Sequence, residues 1–187
     1  MPNWCENDLY VKGGKEDIEA FIDFCKGKDD EGVEVNFDFN QFIPYPDTFK
    51  LQDGERDKWI KENSIEESSP SGNISAFLKL KEGSDWKDCP KDGYNTGGYE
   101  WCCKNWGTKW NVGTADFERT KGGVTITFST AWAPPIPVIQ AMGDKFPDLT
   151  FTLKYYEQGM AFQGIYQVSN GEVDFAEEKP YRGSRGG

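Results

Sequence analysis

The chain contains no histidine. Without imidazole there is no Ser–His or Cys–His pair, no His-ligated metal, and no side chain that titrates near neutrality unless its pKa is strongly shifted. Most hydrolase mechanisms are thereby excluded. Cysteine is scarce and odd in number: the five lie at Cys5, Cys25, Cys89, Cys102 and Cys103, with no Cys-x-x-Cys spacing. That pattern fits neither a zinc ribbon nor a disulfide framework. No apolar run approaches the ~20 residues of a membrane span, and the opening MPNWCENDLYVKGG lacks the basic and apolar segments of a secretory signal. These absences point to a cytoplasmic protein with reduced thiols and no membrane partner.

What is present is enough for a core. The chain has 187 residues, of which 36% are hydrophobic and 15% aromatic, and a chain of about this length forms one domain or a small domain carrying an insertion. Its 32 acidic and 21 basic residues leave a net charge of −11. A surface of that sign repels nucleic-acid backbones and anionic lipids, so direct nucleic-acid binding is not expected. The charge is uneven: residues 1–100 hold 23 acidic and 12 basic side chains, whereas 101–187 hold nine of each.

Periodicity gives the elements. NDLYVK (7–12) alternates and stops at Gly13-Gly14, reading as a strand. In the following KEDIEAFIDFCKG, Ile18, Phe21, Ile22 and Cys25 fall at helical spacing, with Glu16 and Asp17 early and Gly27 as the stop. VEVNFDFNQFI (33–43) puts Val33, Val35, Phe37 and Phe39 on one face, which predicts a strand. A charged, helical piece is expected around Asp53–Asn63, then a Ser/Pro/Gly stretch at Ser68–Gly72, a short apolar ISAFLKL, and a polar run from Glu82 to Gly98. YEWCCKNW reads as a helix closed by a left-handed Gly107. ADFERT and VTITFSTAW form a hairpin around Lys121-Gly122-Gly123. Pro134-Pro135 opens a helix over IPVIQAMGDKF, and LTFTLKYYEQ with MAFQGIYQV makes a second hairpin.

Strands grouped as antiparallel pairs with helices on one face give an α+β, ferredoxin-like fold related to the split βαβ. The expected organisation is one domain over 1–168 with an insertion at about 47–97. A polar, Gly-rich tail over 169–187 contributes a short pairing piece and then a loose end, RGSRGG.

Four segments together, MPNWCEN, FNQFIPYP, YEWCCKNWGTKWN and FSTAWAPPIPVIQAMGDKFPDLTFTLKYYEQG, resemble the YubB-type ferredoxin-like family encoded by bacteriophages and plasmids. The resemblance spans roughly residues 1–166 in order, and WGTKW followed by TAWxPPxPV is its most specific pairing. It implies the same α+β fold and an origin on a mobile element. It implies no particular biochemical activity.

Two sets of residues are candidates for function. Trp4, Trp106, Trp110 and Trp132 lie in motif segments beside Gly, Thr, Asn, Lys or Pro, a mix that offers stacking surface, donors and one positive charge, Lys109, to a planar ligand. Asn3, Asn7, Thr108, Asn111 and Thr130 are polar groups near these rings. The bland alternative is that the rings fill a small core and that Gly107 and Pro134 only cap elements. The second set is acidic: Asp29, Asp30, Glu31, Asp53, Glu55, Asp57, Glu62, Glu66 and Glu67, a surface able to occupy a basic nucleic-acid groove. Against it, Arg56, Lys58 and Lys61 are interleaved, and charge runs usually serve solvation.

No calcium-loop spacing occurs, and no metal or other cofactor is implied. Adjacent Cys102 and Cys103 read as one buried and one grazing thiol on a helix. A carboxylate hydrolase using a divalent ion would have to assemble from residues distant in sequence. The leading expectation is a non-enzymatic accessory protein of a phage or plasmid that binds and inhibits a host protein. That protein is expected to be an antiviral-defence or restriction component, itself a nucleic-acid-binding complex. The alternative is a nucleotide or small-ligand binder, a signal sponge, with a tryptophan-lined pocket.

Overall fold

The computed structural model describes residues 3–29, 32–63, 90–112 and 114–183. They divide into two compact units, one built from 3–44 and 102–183, the other from 45–101.

The first unit is organised around β1 (Trp4–Lys12), whose residues are alternately buried and half-buried or exposed, as a strand with one face on a core requires. Cys5, Asn7, Leu9 and Val11 point inward. The chain continues through α1 (Lys15–Phe24), a two-residue ladder of β2 (Gly27–Lys28) with β3 (Glu34–Val35), and α2 (Asp47–Glu62). It then runs through α3 (Tyr99–Asn105), β4 (Ala115–Thr120), β5 (Gly123–Ala131), α4 (Ile136–Lys145), β6 (Thr150–Glu157), β7 (Phe162–Ser169) and β8 (Glu172–Pro180). The six long strands form one antiparallel sheet in the order β4-β5-β1-β6-β7-β8. Its first four strands, joined as β1-α1-β4-β5-α4-β6, are the ferredoxin-like arrangement expected from the sequence.

Helix burial follows the periodicity. Ile18 and Phe21 of α1 are buried, and the Phe21 ring meets Phe151 of β6 at 5.2 Å and Phe146 at 5.4 Å. On α4, Val138, Ile139, Met142 and Gly143 are buried, and Gly143 lies against Val168 of β7. Fully burying an aliphatic side chain contributes about 1.5–3 kcal/mol, so this inner layer between sheet and helices carries the unit.

Residues 33–43 depart from the strand reading. Only Glu34–Val35 pair in a ladder, and Phe39–Gln41 form a 3-10 turn. The polar partners of the alternation are responsible. Asp38 Oδ1 accepts the Asn40 N–H at 2.9 Å, and Asn111 Oδ1 accepts the Phe39 N–H at 2.9 Å. Asn36 Nδ2 donates to the Ala115 carbonyl at 2.8 Å. Side chains that capture backbone groups in this way compete with a sheet ladder. Phe37 and Phe39 are buried nonetheless, so alternation correctly marked the apolar residues while β4 takes the strand position in the sheet.

Beyond 168 the structure also corrects the expected tail. Glu172–Pro180 is a full strand, registered from Ser169↔Glu172 to Phe162↔Pro180 against β7. Asn170 (φ 52°) and Gly171 (φ 73°) link the two strands. An Asn-Gly pair with both residues at positive φ is the preferred two-residue hairpin loop. The last four residues of RGSRGG lie outside the described residues.

In the unit spanning 45–101, α2 meets the segment from Pro90 to Trp101. Asp53 Oδ1 accepts the Gly93 N–H at 2.9 Å, Arg56 Nη1 lies 2.9 Å from Asp92 Oδ2, and Thr96 Oγ1 donates to Gln52 Oε1 at 2.7 Å. The Tyr45 ring packs on Phe49 at 5.6 Å and Trp101 at 5.5 Å. Ser68–Gly72, ISAFLKL and the part of the polar run before Pro90 lie outside the described residues.

Candidate functional site

The two most specific motif segments, WGTKW (106–110) and TAWAPPIP (130–137), fold against each other. Gly107 has φ +78°, and a Cβ there would stand 2.8 Å from Pro137 Cδ and 2.9 Å from the Pro134 carbonyl oxygen. Only glycine tolerates both that conformation and that approach. Thr108 donates its hydroxyl to the Ala131 carbonyl at 2.9 Å. Thr130 Oγ1 donates to the Ala133 carbonyl at 2.8 Å and accepts from Asn7 Nδ2 at 2.9 Å. The loop after β5 and the loop after α3 are thereby fixed to β1 and to each other.

This frame positions three indoles and one amine. Trp132 sits at φ +71°, its N–H donating to the Asn3 carbonyl at 2.9 Å, and 37% of the residue is exposed. Trp4 is 48% exposed, with its ring 6.3 Å from that of Trp110 at 43°. Lys109 Nζ lies 4.2 Å from the Trp110 centroid and 4.9 Å from the Trp132 centroid, within cation–π range of both. Burial pulls the Lys109 amine below its ordinary range, with the Cys103 thiol acting in the opposite direction. The result is a partly exposed aromatic patch at one end of the sheet, with a charge held against two of its faces.

Several residues expected at a ligand pocket are structural. Trp106 is not part of the patch: it is buried, its Nε1 donates to the Ile43 carbonyl at 2.8 Å, and its ring packs on Phe39 at 6.0 Å. Asn7, Thr108 and Thr130 are also buried, and their hydrogen bonds tie loops to strands. Asn7 Nδ2 additionally reaches the Cys5 carbonyl, while its Oδ1 has no hydrogen-bond partner. Asn111 is a hub, accepting from Phe39 N–H and Val112 N–H and donating to Asp38 Oδ1 at 2.7 Å. Of the expected ligand set, Asn3, Trp4, Lys109, Trp110 and Trp132 come together at the patch.

The expected acidic surface divides further. Asp53 is engaged within its own unit. It is half-buried and accepts hydrogen bonds from Gly93, Tyr94 and Tyr45, and burial raises its carboxyl above the ordinary range while the hydrogen bonds oppose that rise. Asp57 is ion-paired with Arg56, and Glu62 stands 3.8 Å from Lys58. Glu55 and Asp29 are exposed, with Asp29 Oδ1 accepting the Val33 N–H at 2.8 Å. Asp30, Glu31, Glu66 and Glu67 lie outside the described residues. The sequence reading overlooked the carboxylates on the sheet itself: Glu6 and Asp8 on β1, Asp116 and Glu118 on β4. Their alternation with buried residues was the available signal.

Cys5, Cys25 and Cys102 are buried free thiols and Cys103 is half-buried. Among the described residues, no group of three or more His, Cys, Asp or Glu side chains is placed to hold a metal ion. No helix among them is long and apolar enough to cross a membrane.

Residues 105–181, which contain both motif segments, match the family described as "Ferredoxin-like domain in Api92-like protein". Over that stretch the chain is similar to this family. Over its whole length it is similar to the crystal structure of the protein Api92 from Yersinia pseudotuberculosis. The TM-score is 0.53 at 12% identity, covering 98% of this chain and 99% of that one. At this identity the likeness concerns fold alone. It agrees with the α+β fold that the motif resemblance implies. No curated protein matches the chain in sequence.

Proposed function

We propose that this chain acts by occupancy and without turnover, as an accessory protein of a phage or plasmid that binds a host protein and blocks it. The blocked protein is a component of an antiviral-defence or restriction system that grips nucleic acid. The observation carrying this reading is the patch of Trp4, Trp110 and Trp132 with Lys109 laid across it. Partly exposed tryptophans held rigidly at one place are the residue type that dominates protein–protein hot spots. The net charge of −11 favours encounter with a basic partner and disfavours nucleic acid.

The test is capture from host lysate with the full chain and with Trp132→Ala, at low and at physiological salt. The expected result is one stoichiometric partner with the wild type, and retention weakened at least about thirtyfold by the variant, the scale of a 2 kcal/mol hot spot. Absence of any stoichiometric partner across the salt range overturns the reading. A second reading, a planar anion stacked on Trp132 with its charge toward Lys109, is favoured by the placement of that amine. It requires nucleotides to quench tryptophan fluorescence and to raise the melting temperature.

A further inference from the structure

Trp4 stands at the head of a row. Along β1 the side chains of Trp4, Glu6, Asp8 and Tyr10 alternate to the face opposite Cys5, Asn7, Leu9 and Val11. Successive outward residues of a strand are separated by about 6.5–7 Å, so the Glu6 carboxylate is one step from the exposed indole. Glu6 Oε2 accepts the Ser129 hydroxyl at 3.0 Å, and Asp8 Oδ1 accepts the Thr127 hydroxyl at 3.1 Å. Both carboxylates are therefore oriented by their neighbours on β5.

Around the Trp4 end of this row the charges are mostly acidic, and the row's own cation, Lys12, stands at its far end. Glu6 has Ser129 and Tyr156 as its cross-strand neighbours, with no cation in register. Asp8 has Thr127 on one side and Lys154 on the other, and Lys154 Nζ lies 5.9 Å from the Tyr10 ring. Asp116 and Glu118 of β4 pair with Thr127 and Thr125, extending the same face, and both are exposed. Lys109 is committed to the Trp110 and Trp132 rings.

We infer that Trp4 and Glu6 form a receiving site for an arginine side chain on the basic surface of the partner protein. This rests on the host-protein reading and names the chemistry of its contact. A guanidinium stacks flat on an indole face and presents a fork of N–H donors that an adjacent carboxylate accepts, whereas an ammonium does the first less well and lacks the second. The row supplies both halves of that recognition side by side, and the carboxylates beyond it continue the charge complementarity.

The test uses the full chain and two synthetic peptides, one alternating arginine with glycine and the other alternating lysine with glycine, titrated by calorimetry and by tryptophan fluorescence. The wild type is expected to bind the arginine peptide about two- to fivefold more tightly than the lysine peptide. Trp4→Ala and Glu6→Gln should each abolish that preference. Asp148→Asn, an equal change of charge at the turn before β6, should retain it. Glu6→Gln preserves the acceptor for Ser129, so its loss of preference is not a folding effect, and an unchanged melting temperature checks this. Equal binding of the two peptides by the wild type, or a preference that survives Trp4→Ala, overturns the inference. A lysate partner lost with Trp132→Ala but held equally by Trp4→Ala and Glu6→Gln overturns it too, while leaving the host-protein reading in place.

Discussion

Lys109 Nζ lies 4.9 Å from the ring centroid of Trp132, and that ring belongs to a residue held at φ +71°. A bulky side chain in the left-handed region costs about 1–2 kcal/mol, and here the conformation is kept by the Trp132 N–H bonded to Asn3 and by the proline-rich turn that follows. Strain of this kind persists only where the surrounding structure holds the residue in place.

Glycine relieves that strain and alanine does not. Trp132→Gly is therefore expected to be more stable than Trp132→Ala by about 1 kcal/mol in denaturant titration, the reverse of the usual order of these residues. The usual order would mean that the left-handed conformation is not held in the folded protein.

Gly107 should tolerate no side chain. Gly107→Ala is expected to cost about 2 kcal/mol or more, because a Cβ would meet both Pro134 and Pro137 at positive φ. The same variant should shift the tryptophan emission, since Lys109 and Trp110 hang from this loop. An unaltered melting curve and spectrum would separate the loop from the patch.

Asn111 closes the turn that replaces the expected strand. Asn111→Ala removes an acceptor from the Phe39 and Val112 N–H groups and a donor to Asp38, and Asp38 is buried. A loss of about 2–3 kcal/mol is expected, measured by chemical denaturation, because groups left unpaired in a buried place pay their full desolvation cost.

Alkaline pH should weaken the fold through its inner face. Burial, reinforced by Glu157, pushes the Cys5 thiol up from 9.0 to about 12, and burial also raises Cys25. The folded state thus holds protons that the unfolded chain releases. The stabilisation is fully present below pH 9, and it falls away as pH climbs from there toward the folded value, by about 1.4 kcal/mol per pH unit for each group. Cys5→Ala is expected to flatten the alkaline limb of stability against pH by one group's share. An unchanged slope would show that the Cys5 thiol ionises alike in both states.

Much of this fold was legible because its determinants are local. The helix over 15–24 and both hairpins follow from apolar spacing and turn residues that need no distant partner. The stretch 33–43 misled because its alternation is real, but Asp38 and Asn36 spend their polar atoms on backbone groups and on Ala115, 79 residues away. Residues 172–180 are polar and so read as no more than a short pairing piece, although Asn170-Gly171 announces the hairpin that leads into them. At the site, Trp4, Trp110, Trp132 and Lys109 share motif segments in the sequence and lie beside one another in the fold. For Trp106 two signals conflict: helical spacing from Tyr99 and Cys102 puts it on the buried stripe, motif membership puts it in the pocket, and the structure turns it inward to the Ile43 carbonyl.

The central position of β1 bears on biogenesis. Its hydrogen-bonding neighbours, Gly123–Ala131 and Thr150–Glu157, leave the ribosome more than a hundred residues after it. At about 5–20 residues per second, the nascent strand waits for several seconds with both edges bare. A chain truncated before Gly123 would retain that strand with neither partner, so premature termination should yield material that chaperones bind or proteases clear, and not a smaller folded product.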